Sequence, residues 1–221
     1  MRILFVLTVL LLMACSNKKK QNETINSVDS SENLVAILDT IWRTEQEPIS
    51  LRDSLMKIHG ADSELVLEQQ AIYEKNHVIN EIKISSILDE KGWPKKVIIG
   101  EQGNWTICNV IQHSDNTIRL KYLPLMRQAV KEGQLAPRFL VRTEDRVATE
   151  QSKLQIYGGQ MKYYPETKSF NVWPVFDPIN IDKRRAEIGL GPIAEFLKDR
   201  FDFNWVLEEQ IQRSIEFEKA K

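Results

Sequence analysis

The chain has only two cysteines, Cys15 and Cys108. That excludes a disulfide-stapled scaffold, so stability must come from a packed core. Charge of either sign is not in excess: 30 Lys and Arg stand against 31 Asp and Glu. No basic surplus points to nucleic acid, and no acidic surplus points to a calcium-rich surface. Histidines number three. No HxxxH spacing and no clustered carboxylates accompany them, so no metal site and no cofactor is expected. Serine-nucleophile elbows, phosphate-binding glycine loops, dinucleotide fingerprints and CxxC pairs are absent too. Beyond the N-terminus no segment is long and apolar enough to cross a bilayer. Hydrophobic residues at 42% and charged residues at 28% are ordinary for a folded domain, so wholesale disorder is excluded.

What is present begins at the first residue. Met1-Arg2 is a short positive start, and Ile3 to Met13 is an almost unbroken apolar run. A run this short with one leading charge reads as a secretory signal rather than a spanning helix. Ala14-Cys15 follows at once. Leu12-Met13-Ala14-Cys15 resembles the lipobox of bacterial lipoproteins. The resemblance implies a diacylglyceryl group on the Cys15 thiol and cleavage before it. Residues 1–14 are then a signal peptide. The mature protein is held by lipid to a membrane of the cell envelope, on its periplasmic face or at the cell surface. With Cys15 lipidated, Cys108 has no internal partner.

Residues 15–28 carry the lipid and a polar run, SNKKKQNETINSV, too poor in apolar groups to pack. This reads as a disordered tether with a reach of at most ~45 Å. Lys18, Lys19 and Lys20 read as solubilising charge. A single α-rich domain is expected over 29–221. Asp29-Ser30-Ser31-Glu32 has capping-box spacing, followed by Leu34, Leu38 and Ile41 at helical intervals. Pro48 interrupts, and a short helix ends at Gly60. Asp62 can cap a long helix to about residue 89, stopped by Gly92-Trp93-Pro94. Further helices are expected at 102–113, 116–131 with a kink at Pro124, 137–150, 182–188, 192–200 and 207–219. Between them, 154–164 and 169–175 are rich in aromatic and branched residues around a Pro165 turn, a β-hairpin. The fold class is mainly α, about eight helices and one hairpin near 154–175.

Four constellations bear on chemistry. On the 102–113 helix, Trp105, Asn109, Gln112 and His113 lie opposite the apolar side formed by Ile107, Val110 and Ile111. An imidazole among amides can serve as acid or base near neutral pH, or can bond to loops at a helix end. Asp115 reads as the cap of the next helix. Arg142 and Asp145 stand three apart, a pair at helical spacing. In Gln155-Ile156-Tyr157-Gly158-Gly159-Gln160, the glycine pair marks a bulge or a close approach, with Gln155, Tyr157 and Gly159 on one face. Lys183-Arg184-Arg185, before Gly189-Leu190-Gly191-Pro192, can grip an anion or pair with acidic neighbours.

Taken in order, Gly92-Trp93-Pro94, Gln112-His113-Ser114-Asp115, Asp145-Arg146, the Gln155–Gln160 run and Arg184-Arg185 with Gly189-Leu190 resemble a bacterial family catalogued only as a domain of unknown function. The resemblance spans about Asn80 to Leu197. That family typically has Thr where this chain has Gly159, and often Asp where it has His77. The resemblance implies that these distant polar residues belong together in space. Two readings follow. In the first, the protein is an envelope binding or interaction module. In the second it is an enzyme acting on an anionic or sugar-like small molecule. His113 would be acid or base and Asp145 would orient it or a cation. Arg146 with Arg184 or Arg185 would clamp the anion, and Gln112, Gln155, Tyr157 and Gln160 would position the substrate. Partners are then the membrane, through Cys15, and an anionic small molecule, with no nucleic acid.

Overall fold

The structure, a computed structural model, describes the backbone of residues 13–165 and 167–220, with side chains from Asn33 onward. The proposed signal peptide falls almost wholly outside the described residues, as does the Cys15 side chain. The described chain is mainly helical, with eight helices and a small two-stranded antiparallel hairpin. The sequence-based fold class holds.

Helix α1 spans Met13–His59. It runs straight through the stretch read as a tether and through the capping box at Asp29. That stretch holds no glycine or proline, so it can satisfy its backbone internally as a helix without burying anything. Poor hydrophobicity excludes packing; it does not exclude helix. Among the described side chains the first buried one is Leu34, followed on the same stripe by Leu38 and Ile41.

Pro48 also lies inside α1 rather than ending it. A proline in a helix frees the carbonyl four residues back, here that of Thr44. Asn76 Nδ2 donates to that carbonyl at 2.9 Å, so a side chain of the next helix replaces the missing bond. Helix α2, Glu64–Lys91, packs along α1 after the turn at Gly60. Its cap position is Ser63 rather than Asp62, and the Ser63 side chain makes no capping bond.

Helix α3 spans Lys96–His113 and is broken at Gly100, which sits at φ 64°. Its continuous part matches the expected 102–113. Helix α4, Asn116–Lys131, continues through Pro124, and Asp115 caps it as expected, its carboxylate accepting from Ile118 N at 2.9 Å. Helix α5 is Pro137–Glu150, with proline at the first helical position. These helices share one core, in which Leu38, Ile41, Ile84, Ile107, Ile111 and Met126 are almost wholly buried. Cys108 lies there too, and burial pushes its thiol well above the usual range, which leaves it unreactive.

Strands β1, Met161–Tyr164, and β2, Ser169–Val172, pair antiparallel from Met161–Val172 to Tyr164–Ser169. The hairpin is shorter than expected. Residues 154–160 form a loop, joined to Val175 by one parallel bridge at Gln155. Helices α6, Ile181–Glu187, α7, Ile193–Phe201, and α8, Leu207–Lys219, complete the chain. A second core of Val172, Val175, Ile181, Ile193 and Leu197 lies beneath the hairpin.

Candidate functional site

Consecutive residues on a helix point about 100° apart, so Asp145 and Arg146 on α5 serve different neighbourhoods. Asp145 is fully buried. Its Oδ1 accepts from the N–H groups of Ile156 and Tyr157, and its Oδ2 from that of Gly159, each at 2.8 Å. Those donors are what a strand would have given to a ladder, which is why 154–160 is a loop. Burial pushes the carboxyl up to about 6, and the three backbone donors pull against it. It is therefore ionised at neutral pH.

The rest of the loop is held in the same way. Gln155, also wholly buried, donates to the carbonyls of Gln160 (3.0 Å) and Trp173 (2.7 Å) and accepts from Gln160 N at 2.8 Å. Arg184 donates to the carbonyls of Ile156, Phe176 and Asp177. Arg185 donates to those of Tyr157 and Gly191, both at 2.7 Å. Gly158 has φ +81°, and a Cβ there would lie 2.6 Å from Ile193 Cδ1. One at Gly159 would lie 3.1 Å from Asp145 Oδ2. The close approach expected at the glycine pair is present. Of the residues picked from sequence, Asp145, Gln155, Arg184 and Arg185 use side-chain polar atoms to hold this loop, and Gln160 takes part through its backbone.

Beside the loop, between α5 and α7, lies a cavity of about 340 Å³ lined by Arg138, Arg142, Asp145, Tyr157, Arg185 and Phe196 among others. Arg142 is half-buried and, among the described residues, has no hydrogen-bond or ion-pair partner. Burial, then the like charges of Arg200 and Arg138, lower its pKa. The acidic liners Glu195 and Asp199 are exposed, at the rim.

The Arg146 side of α5 faces the end of α3. Arg146 Nη1 donates to Gln112 O at 2.8 Å, and Arg119 donates to the same carbonyl at 3.0 Å. Arg119 is buried, and it also bonds Ser114 O and pairs with Glu150. Unpaired carbonyls end every helix, and here two guanidinium groups take them. His113 closes α3 and is exposed to water. Its pKa is lowered to about 4, by desolvation first, then Arg146 and His77, with Glu45 opposing and Arg119 adding. Desolvation outweighs the neighbouring charges as its cause. No hydrogen bond joins His113 to Asp145 or Tyr157. The hydrogen bonds divide the sequence-picked residues into two groups: Arg146 with the Gln112 carbonyl beside His113, and Asp145, Gln155, Gln160, Arg184 and Arg185 around the loop that carries Tyr157.

The first of these contains residues the sequence reading missed. Glu45 is only 1% exposed. His77 Nδ1 lies 3.2 Å from both its oxygens, and Asn80 Nδ2 donates to Oε1 at 2.9 Å. The Tyr73 ring lies 5.7 Å from that of His77. Burial and Glu45 push the Tyr73 hydroxyl up to about 12. The signal was legible. Leu34, Leu38, Ile41 and Glu45 continue one helical stripe, and so do Tyr73, His77, Asn80, Ile84 and Ile87. Polar residues at core positions were the clue, and apolar periodicity alone passes over them.

Among the described residues no three His, Cys, Asp or Glu side chains group as metal ligands. No curated protein and no solved structure matches the chain. A family model described as "Family of unknown function (DUF6624)" matches residues 58–205. That segment is more than half of the chain and contains both polar groups except Glu45, and the protein belongs to this family.

Proposed function

We propose that the protein is a lipid-anchored lipoprotein of the bacterial cell envelope whose folded domain binds an anionic small molecule. The anchor is argued from the short apolar run and Leu12-Met13-Ala14-Cys15, and it makes the membrane a partner through Cys15. The binding role is carried by one observation: Arg142, half-buried at the cavity between α5 and α7, has a guanidinium that bonds no other described residue. Desolvating a cation without a partner is costly, and Arg138 and Arg200 raise that cost by repulsion. A bound anion relieves both. The loop clamped by Asp145, Gln155, Arg184 and Arg185 forms the opposite wall, and the Tyr157 ring faces the same space.

Two measurements test this reading. Mass spectrometry of the mature N-terminus should find acyl lipid on Cys15, and Cys15→Ser should block both lipid and cleavage; an unmodified wild-type N-terminus refutes the anchor. Glucose 6-phosphate or citrate should raise the melting temperature of wild type and not of Arg142→Gln. Equal responses in the two refute the cavity as the binding place.

A second reading, an enzyme with His113 as acid or base, is supported by that residue's geometry. Its ring is reached by water yet held neutral at physiological pH by desolvation and by Arg146.

A further inference from the structure

None of Glu45, His77 and Arg146 lines the Arg142 cavity, and the binding proposed there does not use them. A carboxylate that is 1% exposed must be paired to be tolerated. Glu45 has no arginine or lysine among its hydrogen-bond and ion-pair partners; it has the His77 imidazole and the Asn80 amide. With Nδ1 facing both carboxylate oxygens, the favoured tautomer carries its proton on Nδ1 and leaves a lone pair on Nε2. Nε2 is itself buried and finds no hydrogen-bond partner. Leaving a buried polar atom unpaired is costly, and a ligand that bonds Nε2 removes that cost.

The surroundings supply the complement. Glu45, His77, Arg146 and Arg119 all act electrostatically on His113, and Glu45 and Arg146 both act on Tyr73, so these groups share one neighbourhood. Arg119 is committed to Gln112 O, Ser114 O and Glu150. Arg146 bonds only Gln112 O, through Nη1, and its other nitrogens have no hydrogen-bond partner among the described residues. Asn109, one turn before His113 on α3, has a buried Nδ2 that is likewise unpaired. One buried ring nitrogen on α2 and one buried amide on α3 thus stand without partners among the described residues, and Arg146 of α5 holds the end of that same α3 helix through a single nitrogen. The α1 turn before Pro48 is fixed to α2 by Asn76, and Asn80 bonds Thr44 Oγ1 at 3.0 Å, which keeps Glu45 facing His77.

We propose that this cluster is a second ligand site, taking a small molecule in which an anionic group sits beside a hydroxyl. Arg146 receives the anion and His77 Nε2 accepts from the hydroxyl. In that pose His77 stands as a base. The O–H bond opens, the proton passes to Nε2, the electron pair stays on oxygen, and Glu45 balances the imidazolium. Phosphate in its P–OH form is the smallest molecule with both features.

The test uses the full-length protein in detergent micelles with inorganic phosphate, read by titration calorimetry and by the ¹⁵N shift of His77 Nε2. Phosphate should shift the Nε2 resonance of wild type. His77→Phe should weaken binding by about tenfold or more, the loss of one good hydrogen bond, while Arg142→Gln leaves this binding intact. If His77→Phe does not fold, the wild-type shift decides alone. An unmoved Nε2 resonance at saturating phosphate overturns the proposal. So does phosphate binding that Arg142→Gln abolishes and His77→Phe preserves; that second outcome would leave the cavity reading standing.

Discussion

Replacing Gly158 by alanine separates two costs that the structure places at one residue. The first is conformational: φ is +81°, and a side chain in left-handed backbone costs roughly 1 to 2 kcal/mol. The second is steric: the new Cβ would lie 2.6 Å from Ile193 Cδ1 and 3.1 Å from Ile181 Cδ1, and overpacking a core costs roughly 1 to 3 kcal/mol. Restricting the unfolded chain returns about 0.4 to 1 kcal/mol. The net loss is about 3 kcal/mol, or a melting temperature lower by roughly 6 to 12 °C for a domain of this size. Gly189→Ala is the control. Its φ is +73° with nothing within 4 Å of a Cβ, so it bears only the conformational part, about 1 kcal/mol. Ile193→Val removes the atom in closest conflict, at roughly 0.5 to 1.5 kcal/mol by itself. Combined with Gly158→Ala it should recover about 1 kcal/mol relative to additivity. Urea unfolding followed by circular dichroism measures all four proteins. If Gly158→Ala costs no more than Gly189→Ala, or the double variant is additive, the close approach is not where the geometry puts it.

Asp145→Ala leaves three buried N–H groups unpaired and should cost about 3 kcal/mol or more; Asp145→Asn, which can still accept through one oxygen, should cost less, and thermal melts with the opposite order would contradict the clamp. Because the His113 pKa is lowered to about 4 against an unfolded value near 6.5, the folded state resists its protonation. Its contribution to stability is whole above about pH 6.5 and is lost as pH falls toward about 4. His113→Gln should lack that part of the slope, and parallel melting-temperature profiles for the two proteins across that window would be the contrary result. Asn76→Ala frees the Thr44 carbonyl and should cost about 1 to 2 kcal/mol. The cost should shrink in a Pro48→Ala background, where residue 48 regains an N–H for the same carbonyl, and an undiminished cost by urea unfolding would argue against the substitution of one bond for the other.

Much of the helical framework was legible because it depends on local rules. Helix boundaries at 116–131, 137–150 and 207–219 follow from caps, a first-turn proline and apolar periodicity, all of which act within a turn or two of the chain. Asp115 was legible as a cap for the same reason. Pro48 misled because its penalty is paid by a residue 28 positions on, Asn76, which no local rule connects to it. The 154–160 run misled in the same way. Its aromatic and branched residues suit a strand, and Asp145 takes the three N–H groups a strand would need.

The sequence by itself determined the mainly helical class, the single hairpin, the approximate helix limits and the tightness of the glycine pair. Each of those is set by backbone propensity or side-chain period over short range. Only the tertiary structure decided which polar residues share a space. Asp145 and Arg146 are neighbours in the chain and belong to different sites, because a helix turns about 100° between them. Glu45 is far from His77 and Asn80 in the chain and meets them, because packing α1 against α2 buries a carboxylate that a histidine and an amide satisfy.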